Sequence, residues 1–174
     1  MLLRTIGLLL ILLGMLTLPL FAAEEAEEME AGEEYYLEAE LTVPFAEAKT
    51  LVTAALAAQG FTVLTEIDLQ AKFKEKLNQD IPPYTILGAC GPGFAHRAWE
   101  INTHVGVMLP CTVVLEQEGD VVEVLFRDPR GLAQFDPALA PLGEEVYLKI
   151  KAVIEALGGD EDEDDEDEDE HEGH

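Results

Sequence analysis

The side chains best suited to chemistry gather between Tyr84 and Leu115. This stretch holds both cysteines, Cys90 and Cys111, the only tryptophan, Trp99, and two of the four histidines, His96 and His104. Cys90 lies in Ala89-Cys90-Gly91-Pro92-Gly93, where a strand gives way to a helix start. A helix N-terminus carries partial positive charge and stabilises a thiolate, so Cys90 is the candidate reactive sulfur. Cys111 follows Leu109-Pro110 and shares a strand face with Val107, Leu109, Val113 and Leu115, which predicts a buried thiol. Three readings stand side by side. The cysteines are inert core thiols, a redox, sulfur-carrying or metal-binding pair, or a structural disulfide. No C-x-x-C occurs, which argues against a thioredoxin-like exchange site.

His96, three residues into the helix, is the base nearest Cys90 in sequence. Cys90, His96, His104 and Cys111 would together offer two sulfurs and two nitrogens to a soft metal or to haem iron, although their spacing matches no strong metal signature. A lone histidine on a helix surface is more often a solvated residue. Glu66, Asp68 and Glu100 are the acids near these motifs. Glu66 and Asp68 alternate along one strand face and would serve as an acid–base pair. The plainer expectation is that Asp68 caps the following helix while Glu66 meets solvent, because no partner base or nucleophile is evident. There is no nucleophile elbow, phosphate-cradling glycine loop or zinc-protease helix, so the sequence defines no reaction.

The elements that must position these residues follow from periodicity. Tyr35 to Val43 alternates as a strand. Pro44 opens a helix with Phe45, Ala48, Val52, Ala55 and Leu56 on one face, ended by Gly60. Phe61 to Ile67 is a second strand, with Phe61, Val63, Thr65 and Ile67 on one side. A short helix with Leu69, Phe73 and Leu77 on its stripe follows, carrying Lys72, Lys74 and Lys76 on a solvated face. Tyr84 to Ala89 is a third strand, and Pro92 to Ile101 a third helix with Phe94, Ala98, Trp99 and Ile101 turned inward. Val105 to Gln117 reads as a fourth strand broken by Pro110, and Val121 to Asp128 returns from the Glu118-Gly119-Asp120 turn. After an irregular proline-rich stretch, Leu142, Val146, Ile150, Val153 and Leu157 mark a last helix. The order β-α-β-α-β-α-β-β-α predicts an α+β domain built on a single mixed sheet of about five strands with helices packed on it.

Charge divides the 174 residues into parts. The formal net charge is −26, yet residues 35–157 hold 17 acids and 9 bases. The extreme lies at the ends, in an acidic linker over 23–34 and an acidic tail over 159–174 whose run Asp160 to Glu170 contains eleven consecutive acids. Such runs repel themselves and are expected to stay solvated. The tail attracts divalent cations diffusely and lacks the glycine and spaced oxygens of an EF-hand loop. A basic footprint for nucleic acid is absent, and the field opposes phosphate backbones. Residues 1–22 read as a cleaved signal peptide, with Arg4 as its charge, an apolar run from Thr5 to Phe21, and small residues at Ala22 and Ala23. The alternative is an uncleaved membrane anchor. Cleavage places the domain outside the cytoplasm, in a bacterial periplasm.

Several motifs are shared with a known family. Gly60-Phe61-x-Val63-Leu64-Thr65-Glu66-Ile67-Asp68, Lys74-Glu75-Lys76-Leu77, Ile86-Leu87-Gly88-Ala89-Cys90-x-Pro92 and Leu109-Pro110-Cys111-x-Val113 occur in that order. Together they resemble the domain of unknown function 302 family (DUF302) over about Glu40 to Leu157. The resemblance implies a compact α+β domain of the TATA-binding-protein-like class, often a homodimer, and implies no reaction. Gly91 and Thr112 depart from it, each standing where the family commonly has Asn. The expectation for function is a periplasmic ligand-binding or carrier module with a cysteine-centred site near Cys90, involving Cys111, His96, Glu66 and Asp68. The alternatives are a thiol-redox or metal/haem-binding protein using Cys90 with His96, and a purely structural or interaction domain.

Overall fold

A computed structural model of the chain describes residues 35–158. The signal segment, the acidic linker and the acidic tail lie outside the described residues. Five strands form one sheet: β1 (Tyr36–Leu41), β2 (Thr62–Asp68), β3 (Tyr84–Cys90), β4 (Cys111–Glu118) and β5 (Val121–Arg127), in the spatial order β1-β5-β4-β3-β2. Five α-helices accompany them: α1 (Phe45–Ala58), α2 (Leu69–Leu77), α3 (Pro92–Ile101), α4 (Leu132–Phe135) and α5 (Ala140–Leu157). The architecture is α+β, with the element order expected.

All four strand pairings are antiparallel, where a mixed sheet was expected. The reason lies in α2. A parallel crossover needs a helix lying across the sheet. The nine-residue α2 buries none of its side chains. It stays at the sheet's end and returns the chain from Asp68 to Thr85, which are register partners. The long crossover is instead β1–α1–β2, which joins the two edge strands.

One face of the sheet carries the main core. Ala39 and Leu41 of β1, Leu87 and Ala89 of β3, Val113 and Leu115 of β4, and Val122, Val124 and Phe126 of β5 pack against two helices. Those helices supply Ala48, Val52 and Leu56 from α1 and Val146, Ile150, Val153 and Ile154 from α5. The i, i+4 spacing of these helical residues makes each stripe continuous. Gly60 and Gly158 close α1 and α5 at φ of +85°, a conformation that suits glycine. A second cluster, Ala98, Val105, Leu132, Leu139 and Leu142, joins α3 to the turns after β5. The approach is close at Gly143, where an added Cβ would lie 2.8 Å from the Pro129 carbonyl oxygen. No helix of the described residues is long and apolar enough to cross a membrane.

Two details depart from the sequence reading. The segment before Pro110 is a 3-10 helix, Thr103–Met108, rather than strand, so β4 begins only at Cys111. The simple alternation expected of β2 breaks at an irregularity between Val63 and Thr65. Phe61 is buried, whereas Thr65 and Ile67 are exposed.

Candidate functional site

The register of β3 and β4 brings the two cysteine motifs together. Ala89 pairs with Cys111, so Cys90 at the end of β3 lies beside the start of β4. Both cysteines are free thiols and both border one pocket. Its other walls include Phe61, Phe94, Ala98, Leu109 and Leu142, and the space inside is only about 20 Å³, about one water's worth. Phe94 closes it from α3. Its ring stacks on Phe61 with centroids 5.7 Å apart, and the Arg97 guanidinium lies 5.3 Å from its centroid.

Gly91 makes this arrangement possible. A Cβ at that position would lie 2.6 Å from the Phe94 ring, so the glycine that stands where the resemblance implied Asn leaves room for the aromatic cover. Gly88 does the same on the opposite face. It lets Pro110 lie over β3, at 2.7 Å from where a Cβ would be. The Leu109-Pro110-Cys111 motif is thus fastened to Gly88 of the Ile86–Pro92 motif.

The electrostatics of the pair differ from the thiolate expected at Cys90. Burial pushes the Cys90 thiol up. Burial also raises Cys111, helped by the neighbouring Cys90 and opposed by the positive charge of Arg127. A dry, apolar wall disfavours the charged sulfur and so opposes the pull of the α3 start. Burial thus works against the thiolate form of both sulfurs.

The remaining candidates do not converge on the cysteines. His96 is exposed, with Nδ1 3.5 Å from the Glu100 carboxylate one turn along α3. The exposed His104 sits in the 3-10 helix, where its backbone N–H donates to Asn102 Oδ1. Neither borders the pocket. Glu66 pairs with Lys49 of α1 across the surface. Asp68 caps α2 by accepting from the Ala71 N–H at 2.8 Å. Among the described residues, no three His, Cys, Asp or Glu side chains gather closely enough to hold a metal ion. Trp99 is 55% exposed, contrary to the inward position expected for it. The buried stripe of α3 runs through Ala98, and Trp99 falls about 100° further round the helix.

Sequence reasoning missed the group nearest Cys111 in charge, Arg127. It ends β5, and its Nη1 donates to the Met108 carbonyl at 3.1 Å. Its neighbour Asp128 is buried and wholly engaged by Arg130, whose Nε and Nη2 reach one carboxylate oxygen at 2.9 and 2.6 Å. A single arginine closing an otherwise acidic and apolar hairpin was the available signal.

Antiparallel strands in this order, with two motif segments fastened at Gly88 and Pro110, define a small α+β domain whose distinctive features centre on two adjacent cysteines. The chain belongs to the family described as "Domain of unknown function DUF302", whose model matches residues 37–157. A solved structure, that of an uncharacterized conserved DUF302 protein from Bacillus stearothermophilus, is similar at 26% identity with a TM-score of 0.66. The match covers 70% of this chain and 97% of that one. No curated protein matches the chain.

Proposed function

We propose that this chain is an exported binding or carrier module whose ligand site is the Phe94-covered pocket beside Cys90 and Cys111. The observation that carries this reading is the convergence of both cysteine motifs on one apolar pocket without a nearby base. Neutral thiols are poor nucleophiles but good soft, polarisable contacts. The pocket is small as it stands, so a ligand larger than water enters by displacing the half-buried Phe94 ring. The competing thiol-redox or haem-binding use of Cys90 with His96 is less well supported, because His96 is exposed and does not border the pocket.

The test uses protein purified from its native compartment. Mass spectrometry, absorption spectrum and elemental analysis identify what co-purifies, and alkylation at neutral pH measures both thiols. A binding module carries a small apolar molecule and alkylates slowly, Cys111 more slowly than Cys90. Haem or a sulfur-bound soft metal, or thiolate-like labelling of Cys90, would move the reading to the alternative.

We further propose a homodimer formed through the sheet face opposite α1 and α5, which no helix among the described residues covers. Register aligns Ile67, Ile86, Val114 and Leu125 in one apolar row there. A parallel row of Glu116, Glu123 and Glu40 runs on one side, and Arg127 lies on the other. A two-fold along the apolar row would bury Ile67, Ile86, Val114 and Leu125 of one copy against those of the next. Light scattering on the wild type and on Leu125→Glu tests this: a dimer that becomes a monomer supports it, and a wild-type monomer sinks it.

A further inference from the structure

A cleft roomier than the thiol pocket lies beyond the Leu109–Cys111 segment from it. It measures about 310 Å³ and is lined by Tyr35, Met108, Arg127, Asp128, Gln134 and Phe135 together with Gly131. Small-molecule sites begin at roughly that size.

Its charge centres on Arg127. Of the nine described cations, Lys49, Lys72, Lys74, Lys76, Arg97 and Arg130 each have a carboxylate partner, while Arg127, Lys149 and Lys151 have none among the described residues. Arg127 is half-buried and is the one of these three that lines the cleft, although residues 35–157 hold nearly twice as many acids as bases. The acid beside it, Asp128, is committed to Arg130, which neutralises it across the cleft wall. Arg127 donates one N–H to the Met108 carbonyl and approaches the Met108 sulfur at 3.5 Å. A guanidinium has five donors, so most of its fork remains for a ligand. A half-buried cation without a carboxylate is costly unless something anionic meets it.

We propose that this cleft binds a small organic monocarboxylate, with the Arg127 fork on its carboxylate and Tyr35, Met108 and Phe135 against its apolar body. The planar guanidinium matches a carboxylate bidentately. Gln134 supplies a neutral amide at the rim. Two features select a singly charged ligand over phosphate. There is only one unpaired cation in the cleft, and the surrounding domain is net negative, so a second ligand charge would meet repulsion. The site does not depend on the thiol pocket, so either reading can fail alone.

The experiment is an amide NMR titration of the full chain with three probes in separate arms. Benzoate is the carboxylate, benzamide its neutral equivalent in size, and inorganic phosphate the competing anion. Benzoate is expected to shift the amides of Met108, Arg127, Gly131, Gln134 and Phe135, and to bind at least about tenfold more tightly than benzamide. Arg127→Gln removes that preference. If Arg127→Gln does not fold, Gln134→Ala is the second variant and weakens benzoate alone, while the three wild-type arms already decide the question. Equal binding of benzamide, stronger shifts with phosphate, or no shift of these amides by benzoate would overturn the proposal.

Discussion

The two faces of this one sheet differ although they alternate residue by residue along the same strands. In β4, Val113 and Leu115 are buried under α1 and α5, while Val114 between them and Glu116 after them are only half-buried. In β5, Val122, Val124 and Phe126 are buried, and Glu123, Leu125 and Arg127 are not. The covered face is apolar and close-packed apart from the buried Thr85. The open face mixes an apolar row with acids and one arginine. The covered face thus specifies the fold, and the open face, with the clefts at the sheet's margin, is where binding groups are free to vary.

The largest effect that would break this contrast comes from truncating neighbours. Leu115 is wholly buried. Leu115→Ala should destabilise by about 2–5 kcal/mol, through lost transfer energy and the cavity left behind. Val114→Ala, one residue away on the open face, should change stability by about 1 kcal/mol or less in the monomer. Denaturant unfolding of both variants measures the difference. Equal losses would mean that the open face is also packed under something.

A smaller effect sharpens the contrast at the backbone. An added Cβ at Gly88 would press on Pro110 and Thr65, both lying over β3. Gly88→Ala should therefore cost about 1–3 kcal/mol, as overpacking does. Gly93, in the first turn of α3, has open space around its missing Cβ. Gly93→Ala should be neutral or stabilise by up to about 1 kcal/mol, since alanine favours helix. Thermal melts of the pair decide it. A harmless Gly88→Ala would show that Pro110 moves freely off the strand.

The covered face was legible in the sequence because its signals are local and periodic. The stripe Ala48, Val52, Leu56 and the stripe Val146, Ile150, Val153 declared their helices, and Asp68 declared the cap of α2. Pro92 fixed the start of α3. What alternation could not show was a broken alternation. The β2 irregularity after Val63 and the 3-10 turn before Pro110 both depend on contacts from distant segments. The antiparallel sense of β2 and β3 depended on α2 lying at the sheet's end rather than across it. At the candidate site, the adjacency of Cys90 and Cys111 is a consequence of strand register, which no spacing encodes. Two tertiary effects set their charge state and the cleft beyond them. Burial opposes the helix start at Cys90, and Arg130 withdraws Asp128 from Arg127.

The smallest effect is electrostatic and belongs to the open face alone. Glu123 lies opposite Glu116 on β4 and Glu40 on β1. Its carboxyl is pushed up to about 7, first by a hydrogen bond with Glu118, then by burial and by the charges of Glu118, Glu116 and Glu38. A carboxyl whose folded value is raised holds its proton more tightly when folded. Its contribution to stability is therefore complete below about pH 4.5, shrinks as pH rises, and is gone above about 7. The wild type should accordingly lose melting temperature between pH 5 and pH 8, roughly the window between those two values. Glu123→Gln keeps the shape and removes the charge. It should raise the melting temperature at pH 8, by an amount worth about 1 kcal/mol or less at this partly solvated site, and change it little at pH 5. Added salt should shrink the gain, because these carboxylates are screened. The covered face has no such group among its packed side chains, so a substitution there should shift stability equally at both pH values. A Glu123→Gln effect as large at pH 5 as at pH 8 would mean that Glu123 acts by packing, and the two faces would then differ less than their charges suggest.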